Sequence, residues 1–579
     1  MRKTLLDRGG LLALAAFACY AWLAPAYVVD GDNAEFSALG QLGGCAHPSG
    51  YPVYVLWLRA WSWLPVSPAR GAAIATALLA AASILALHAA CRAWGARPLA
   101  ATIACALFAG APLPLALSSE AEVFAGNDLA VACVLWLAAR GGPVRGWRRA
   151  AALGVVAGLG LANHLTCVVV APIGLVGIVR AARESRWTTA LPIALGGLAL
   201  GLAPYAYLFV ADDTAASWGK VHDLGGLVDM FLRRDYGGSG AFLANGDAQP
   251  VAGANLGALA TTLARTWLWL PGALGVAMLA WRTARPREGE TRIAFAALAA
   301  SWLIAGPLLV TRFDLEPTDL GLYVVERFHL LPALVLAIPV ALALDELAAH
   351  LPRLRALARP AAPIAATLGF AAIAGSSLAR VQRVHSPAFE HYVRDTIATL
   401  PPGAVVLGGG DELVFGGMYM QAVLGERPDV TLVSWHMFAR PWYRERAARR
   451  GVSADEVKAP YPVRIALHVL ASGRPLLVGR LETEVLQAFP SYPYGTLMRV
   501  LPRSSAPPSL DEVVAINRDL YGKLELDYPR PGPDDEWPAT IHVRYAYTWR
   551  LLARVLAKAG RRDDAARALE LAREIEPVP

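Results

Sequence analysis

The sequence predicts an α-helical integral membrane protein that continues into a soluble α/β domain and ends in a helical hairpin. The chain is unusually apolar, with 56% hydrophobic residues and a mean hydropathy of +0.41. Apolar stretches recur up to about residue 380. Beyond that point, β-branched segments alternate with glycine-rich turns, which is typical of a small α/β domain.

About eleven transmembrane helices are expected, because a span needs about 20 mostly apolar residues. The first apolar stretch resembles a signal peptide but lacks a clear small-residue cleavage site, so we expect an uncleaved span. The expected spans are about 10–28, 71–91, 98–117, 123–139, 150–163, 165–180, 188–210, 265–281, 293–311, 329–347 and 361–378.

The apolar segment 51–65 is too short for a span, begins near Pro52 and carries Arg59, so a re-entrant or interfacial amphipathic helix is expected. With that assignment all the arginine clusters fall on one side, which the positive-inside rule makes cytoplasmic. The N-terminus is then cytoplasmic and the C-terminal domain extracytoplasmic. The clusters lie at 2–8, 92–97, 140–149, 180–186, 282–292 and 353–359.

The net charge of +7 does not indicate nucleic-acid binding, because the arginines act as topology signals between spans. All six cysteines lie between Cys19 and Cys167, mostly inside apolar stretches, so no disulfide framework is expected. The sequence has no Cys/His cluster with ligand spacing, and a structural zinc site is not expected.

Three domains are predicted: a transmembrane domain at 1–380, an extracytoplasmic α/β domain at 381–535 and a helix pair at 536–579. The helix pair resembles one tetratricopeptide repeat (TPR). A single repeat cannot bury its own apolar face, so we expect it to pack on the preceding domain. The residues that carry this resemblance are Trp549, Leu552, Gly560, Ala565, Ala566, Ala568 and Pro577.

A group of acids follows the first apolar stretch, in the sequence DGDNAEFSALGQLGGCAHPSGYP. Asp32 and Glu35 are three residues apart, so one helical turn places both carboxylates on one face. In an alternative interpretation Asp32 or Asn33 caps the next helix and Glu35 is its N-terminal acid. The predicted topology places this segment on the same membrane face as four other polar stretches, which indicates a site. These stretches are 118–128, 159–166, 216–238 and 311–329.

Six motifs in order carry a family resemblance. They are Asp32-x-x-Glu35, His47-Pro48-x-Gly50-Tyr51-Pro52, Ala121-Glu122-Val123-Phe124 with Asn127, Asn163-His164-Leu165-Thr166, Pro204-Tyr205 and Trp218-Gly219. Over about residues 10–240 the chain resembles the polytopic protein O-mannosyltransferase-like family of the GT-C glycosyltransferase superfamily. Residues 410–430 with Trp442 and Tyr443 are similar to its periplasmic part.

The resemblance implies a GT-C-like fold and transfer of a mannose-like sugar from a polyprenyl-phosphate carrier to an acceptor hydroxyl, with inversion, on the outer face. It also implies that an acid of the first external loop is the base. An attacking hydroxyl must lose a proton, so a positioned carboxylate fits this role. Asp32 is our first choice for the base and Glu35 the second. The expected partners are a lipid-linked sugar donor, a protein or glycan acceptor and membrane lipid, and the expected location is a bacterial inner membrane with a periplasmic C-terminal domain.

Glu122 is predicted to orient the acceptor or hold a cation; alternatively it is the N-terminal acid of the following span. Mg²⁺ or Mn²⁺ held by Asp32, Glu35 and Glu122 is an alternative that we do not favour, because the resemblance implies no metal. No cofactor other than the lipid-linked donor is expected.

The phosphate leaving group needs a cation, for which Arg327 is preferred over Lys220, Arg233 and Arg234. The alternative for Arg327 is an interfacial anchor paired with Glu326. The remaining candidates for substrate binding, with structural alternatives equally open, are His47, Tyr51, Asn127, Asn163, His164 and Trp218.

Two other classes of function compete with the enzyme. A transporter or flippase of a lipid-linked glycan would need acids or broken helices near the midplane, whereas these acids cluster at span ends. A membrane scaffold would use the TPR-like end to bind a protein but would leave the external carboxylates unexplained.

Overall fold

The computed structural model describes residues 8–236, 251–286, 292–350, 352–408 and 410–578. Some of the predicted arginine clusters lie outside the described residues. These are positions 2–7 and 287–291, together with the side chains at 353–359.

The described chain is mostly helical. Its α-helices are α1 (Arg8–Leu23), α2 (Gly31–Leu42), α3 (Pro52–Ala60), α4 (Pro68–Ala93), α5 (Pro98–Gly110), α6 (Pro112–Leu117), α7 (Phe124–Ala138), α8 (Gly146–Asn163), α9 (Ala171–Glu184), α10 (Trp187–Leu202), α11 (Tyr207–Val210), α12 (Leu224–Phe231), α13 (Val251–Thr266), α14 (Leu270–Ala284), α15 (Arg292–Leu303), α16 (Asp319–Glu326), α17 (Leu330–His350), α18 (Pro352–Val384), α19 (Ala388–Ala398), α20 (Gly417–Ala422), α21 (Pro441–Arg449), α22 (Tyr461–Ala471), α23 (Thr483–Ala488), α24 (Leu510–Tyr521), α25 (Glu536–Lys558) and α26 (Arg562–Ile575). The strands are β1 (Val405–Leu407), β2 (Thr431–Val433), β3 (Leu476–Val478), β4 (Ser491–Tyr494) and β5 (Leu497–Val500).

The described residues form two compact units, and neither is continuous in sequence. The helical unit takes those within Met1–Ala26, Cys45–Ala211 and Val221–Gln382. The sheet unit takes those within Tyr27–Gly44, Asp212–Lys220 and Arg383–Pro579. Helix α2, which carries both predicted catalytic acids, therefore belongs to the sheet unit.

The apolar helices make the chain an integral membrane protein. Among the described residues, four helices are long and apolar enough to cross a membrane: Pro68–Ala93, Leu165–Glu184, Trp187–Val210 and Leu320–His350. A fifth is counted if α13 and α14, which are bent by 108° at their junction, form one span.

The number of eleven spans is not confirmed and stays a prediction. One expected span, 98–117, consists of two helices, because the backbone is extended at Ala111 just before Pro112. Segment 51–65 contains only the nine-residue helix α3, which extends about 14 Å at 1.5 Å per residue. This length is less than half of the hydrocarbon core.

Glycines allow α8 and α10 to pack closely in the helical unit. A Cβ atom on Gly158 would lie 2.4 Å from the carbonyl oxygen of Leu198, and one on Gly201 would lie 2.3 Å from that of Val155. Both contacts are far shorter than side chains tolerate, so only glycine fits at this crossing. Small residues serve the same purpose at many membrane helix interfaces.

The sheet unit is built on a five-stranded mixed sheet in the order β2-β1-β3-β5-β4. Strand β1 pairs in parallel with β2 and β3, with Val405 opposite Thr431 and Leu476, whereas β5 pairs antiparallel with β3 and β4. The central strands are buried on both sides, as their continuous apolar runs require. In this order β2 is an edge strand.

The C-terminal helices α25 and α26 pack on each other around a turn at Gly560, which has φ +78°. Trp549 and Leu556 of α25 and Ala572 of α26 form a buried cluster that also contains Val513 of α24. The hairpin thus buries its apolar face partly against the preceding helix. Its assignment as a tetratricopeptide-like repeat stays a prediction.

Candidate functional site

The N-terminus of α2 is capped by Asp30, which is not among the predicted site residues. Asp30 Oδ1 accepts a hydrogen bond from the backbone N–H of Asn33 at 2.7 Å, which is the N-cap interaction. The alternative in which Asp32 or Asn33 provides the cap is therefore wrong. The carboxylate of Asp32 therefore does not act as the N-cap of α2.

The acids Asp32 and Glu35 lie one turn apart on α2, and a carboxylate oxygen of each lies within 4.8 Å of the other. Glu35 is fully buried and Asp32 is partly buried. Glutamate is almost never fully buried without polar partners, so this pair is unusual for a helix with only a structural role. Chemically, two such groups can take a proton from a hydroxyl or supply two oxygens to a cation.

Close packing fixes α2 within the sheet unit. Just before the helix, the backbone N–H of Val28 donates to Glu390 Oε2 at 2.9 Å. At the first helical position, a Cβ atom on Gly31 would lie 2.6 Å from the Cβ of Asp411. Glycine is therefore required next to Asp32, and Asp411 is a third acid at this end of the helix.

The predicted binding residues Trp218 and Lys220 also belong to the sheet unit. The ring of Trp218 lies 6.1 Å from that of Phe415 and 6.0 Å from that of Trp442, between centroids. The side chain of Lys220 is exposed. The structure thus places Trp218 in an aromatic cluster and Lys220 at the surface.

In the helical unit, Arg327 and Glu122 form a buried ion pair across 205 residues of sequence. Arg327 Nη1 lies 2.5 Å from Glu122 Oε1, with side-chain exposures of 9% and 1%. The guanidinium carbon also lies 4.2 Å from the ring centroid of Tyr323, which is a cation–π contact. The alternative pairing of Arg327 with Glu326 is wrong, because Glu326 binds Arg380 instead.

The predicted residues His47, Tyr51 and His164 form a ring cluster in the helical unit. The rings of Tyr51 and His164 are stacked 5.7 Å apart, and His47 meets Tyr51 edge-on at 5.0 Å. Phe124, which follows the Glu122 motif, lies 5.2 Å from His164. Arg233 Nη1 donates to the Tyr51 hydroxyl at 3.4 Å. Four predicted residues from three distant segments are therefore in direct contact.

Hydrogen bonds orient the imidazole of His164. Its Nδ1 accepts from the backbone N–H of Thr166 at 3.3 Å and lies 2.7 Å from the Thr166 hydroxyl. The Asn127 amide donates to the same hydroxyl at 2.9 Å. Because Nδ1 is an acceptor, the neutral ring carries its proton on Nε2. Asn163 donates to the backbone carbonyl of Val123 at 3.0 Å, which ties this network to the Glu122 segment.

Several residues that contribute to this cluster are not among the predicted site residues. Thr166 lies inside the quoted motif and links Asn127 to His164. Tyr323 lies four residues before Arg327, a spacing that predicts contact on a helix. By contrast, the bond between Arg380 and Glu326 joins distant segments and leaves no signal in the sequence.

Known proteins resemble this chain in sequence. Residues 32–188 match the family model described as the protein O-mannosyl-transferase TMEM260 N-terminal domain. The protein O-mannosyl-transferase TMEM260 of Mus musculus is 26% identical over 76% of this chain, and its counterpart in Dictyostelium discoideum is 23% identical over 72%. These alignments cover 64% and 56% of the two relatives, so the chain spans less than two thirds of their length.

A solved structure also aligns with the chain. It is the crystal structure of ArnT from Cupriavidus metallidurans bound to undecaprenyl phosphate, with 12% identity and a TM-score of 0.48. The alignment covers 86% of this chain and 99% of that chain. The family-model match, which begins at Asp32, and the two alignments confirm the predicted resemblance of this chain to the protein O-mannosyltransferase-like family.

Proposed function

We propose that this chain is a membrane glycosyltransferase that moves a mannose-like sugar from a polyprenyl-phosphate carrier to an acceptor hydroxyl. The observation that carries the proposal is the pair Asp32 and Glu35, adjacent and partly or fully buried on a helix that Asp30 already caps. The similarity of residues 32–188 to protein O-mannosyl-transferases supports it, because that region contains both acids.

In the proposed reaction Asp32 is the general base. The acceptor oxygen attacks the anomeric carbon as its proton passes to the Asp32 carboxylate. The bond between the anomeric carbon and the phosphate oxygen breaks on the opposite side, and the electron pair leaves with the polyprenyl phosphate. Attack opposite to the leaving group inverts the anomeric carbon. Glu35, one turn away, orients Asp32 or the acceptor.

Arg327 is the proposed ligand of the donor phosphate. A guanidinium has five N–H donors in a planar fork that matches a phosphate, and developing charge on a leaving phosphate needs such a group. Glu122 supports this role because its carboxylate holds the guanidinium in one position. Arg233 and Lys220 are the alternative cations. His47, Tyr51, Asn127, Asn163, His164 and Trp218 are proposed to contact the substrates.

The remaining parts of the proposal concern architecture and partners. We expect the GT-C-like arrangement of about eleven spans, with the N-terminus in the cytoplasm of a bacterium. The C-terminal α/β domain and the TPR-like helices then lie in the periplasm. The donor is lipid-linked, the acceptor is a protein or glycan, and the reaction needs no metal ion.

The test is transfer of label from polyprenyl-phosphate sugars by the purified full chain. Asp32→Asn is expected to fold and bind donor but to lose about 10²–10⁴-fold in transfer rate, because asparagine cannot accept the proton. Asp30→Asn is the matched control: it removes a neighbouring charge, yet asparagine caps as well as aspartate, so transfer persists.

Two outcomes would change the assignment. Normal transfer by Asp32→Asn together with strong impairment of Glu35→Gln would make Glu35 the base. Normal transfer by the double variant would exclude the carboxylate mechanism. If wild-type protein releases no sugar from the lipid but moves the intact lipid between leaflets, the flippase alternative replaces the enzyme.

A further inference from the structure

The sheet unit contains a cavity of about 420 Å³, and of the residues proposed above to contact the substrates only Trp218 lines it. Its walls come from residues 213–218, the segment 413–422, the edge strand β2 and helix α21. This volume lies in the range of about 300–1,000 Å³ that is typical of ligand sites. It is large enough for an aromatic or aliphatic side chain with its backbone.

The larger part of the cavity lining is apolar and includes Leu413, Phe415, Met418, Leu432, Val433 and Met437, whereas polar side chains such as Gln421 and Ser434 form the rest. The apolar part gains free energy by covering an apolar group and gains none from a sugar hydroxyl. The lining therefore favours a ligand with an apolar side chain over a bare glycan.

The cavity begins beside the helix that carries the proposed base. Phe415, a lining residue, lies so close to Gly31 that a Cβ atom there would be 3.3 Å from its Cδ2. From Phe415 the aromatic wall continues through Trp218 to Trp442 at centroid distances of 6.1 and 6.0 Å. A ligand in the cavity is therefore near the N-terminus of α2.

The rim of the cavity is positively charged. It carries three arginines, 446, 449 and 450, but only one acid, Asp213. Arg446 is held by Asp213 at 2.5 Å and by the carbonyl of Ser217 at 2.7 Å. Arg449 lies 3.6 Å from Asp213, and its side chain is 64% exposed. The rim thus has an excess of positive charge that complements an acidic ligand.

The edge strand adds a backbone contact. Thr431 donates to the carbonyl of Ala404 and Val433 accepts from the N–H of Gly408, so both residues face the neighbouring part of the sheet. Leu432 lies between them and directs its N–H and C=O away from β1. On the same side, Gln421 and Arg450 donate to the carbonyl of Val430, and the Tyr443 hydroxyl accepts from the N–H of Ser434. One residue of an extended peptide can pair with Leu432 between these two contacts.

We propose that this cavity binds the acceptor as an extended, acidic polypeptide segment. An apolar side chain of the segment fills the cavity, a flanking carboxylate meets Arg449, and the peptide backbone pairs with Leu432. This inference rests on the proposed function, because it names the acceptor class as polypeptide and places it next to the helix of Asp32. Charge complementarity selects the acidic peptide among possible occupants.

Direct binding to the full chain tests the proposal. The probes are short fluorescent threonine peptides: one with phenylalanine between two aspartates, one with lysines in place of the aspartates and one with glycine in place of the phenylalanine. The acidic phenylalanine peptide is expected to bind at least about fivefold more tightly than the other two, and more weakly in high salt. Equal binding of the three peptides would overturn the proposal.

Charge reversal at the rim locates the site. Arg449→Glu is expected to weaken binding of the acidic peptide by about threefold to tenfold and to strengthen binding of the lysine peptide. Arg554→Glu, an exposed arginine on α25 outside the cavity lining, changes net charge equally and should leave both affinities unchanged. Equal effects of the two variants on peptide affinity would refute peptide binding in the cavity. Displacement of the bound peptide by an anionic oligosaccharide without any peptide part would refute it as well.

Sugar transfer separates this proposal from the proposed function. The wild-type protein could release sugar from the lipid while Arg449→Glu leaves peptide binding unchanged. This result would refute the cavity as the peptide site but support the proposed glycosyltransferase activity. If Arg449→Glu weakens peptide binding but the wild-type protein releases no sugar, the proposed glycosyltransferase activity is refuted, and the cavity remains a peptide site.

Discussion

Breaking the ion pair between Glu122 and Arg327 should affect stability and turnover differently. The pair is short, at 2.5 Å, and both side chains are almost fully buried. Removing one partner leaves the other charge buried without compensation, which costs about 3–5 kcal/mol in comparable sites. We therefore expect Glu122→Gln and Arg327→Met each to lower the free energy of unfolding by about this amount. The double variant should lose about 0.5–3 kcal/mol less than the sum, because the pair is coupled.

Turnover should distinguish the two partners. Arg327→Met removes the proposed phosphate ligand, so donor turnover should fall at least tens-fold, equivalent to about 2–4 kcal/mol of transition-state stabilisation. Glu122→Gln keeps the guanidinium and should lose less. Arg327→Lys should recover only part of the activity, because an ammonium cannot form the bidentate contact.

Both quantities can be measured on the same samples. Unfolding is followed by tryptophan fluorescence during denaturant titration in mixed micelles, and turnover by release of labelled sugar. Arg312→Met is the matched control, since Arg312 is an exposed arginine of the helical unit, and it should change stability by less than about 0.5 kcal/mol. Additive single effects below about 1 kcal/mol would refute a coupled buried pair. Unchanged turnover in Arg327→Met would move the phosphate role to Arg233 or Lys220.

Two further predictions concern the sheet unit. Burial lowers the pKa of His542, whose Nδ1 donates to the Ile575 carbonyl, so the folded state holds its proton less tightly than the unfolded state. The contribution of His542 to the free energy of unfolding should therefore be complete above about pH 6.5 and fall by up to about 1.4 kcal/mol per pH unit below it. Hydrogen exchange of α25 and α26 should show this loss of protection in the wild-type protein. An equal dependence of protection on pH in His542→Gln would contradict the prediction. Gly31→Ala should destabilise the sheet unit by about 1–3 kcal/mol, because the new Cβ atom would clash with Asp411. Gly479→Ala is the control and should not destabilise it, since no atom lies within 4 Å of its new Cβ. Similar thermal unfolding of the two variants would contradict the clash.

Local patterns in the sequence predicted contacts along one helix but not contacts between distant segments. The three-residue spacing of Asp32 and Glu35 correctly indicates one helical face, because this depends only on helical geometry. The partner of Arg327 could not be predicted in this way. The sequence suggests its neighbour Glu326 as the partner, but the fold brings Glu122 from 205 residues away.

The number of spans shows a second limit of the sequence. A hydropathy window averages over a stretch and does not detect a break within it. The stretch 98–117 is apolar throughout, yet its helix ends at Gly110 and a new one begins at Pro112. The bend of 108° between α13 and α14 has the same consequence. Helix length in the structure and apolar length in the sequence therefore differ.

The discontinuous sheet unit also has a consequence for biosynthesis. Residues 27–44 leave the ribosome early, but their packing partners, such as Glu390 and Asp411, are translated several hundred residues later. The acids of α2 therefore reach their final surroundings only after most of the chain has been synthesised. Until then the two carboxylates of a nascent chain lack the packing contacts that the complete sheet unit provides.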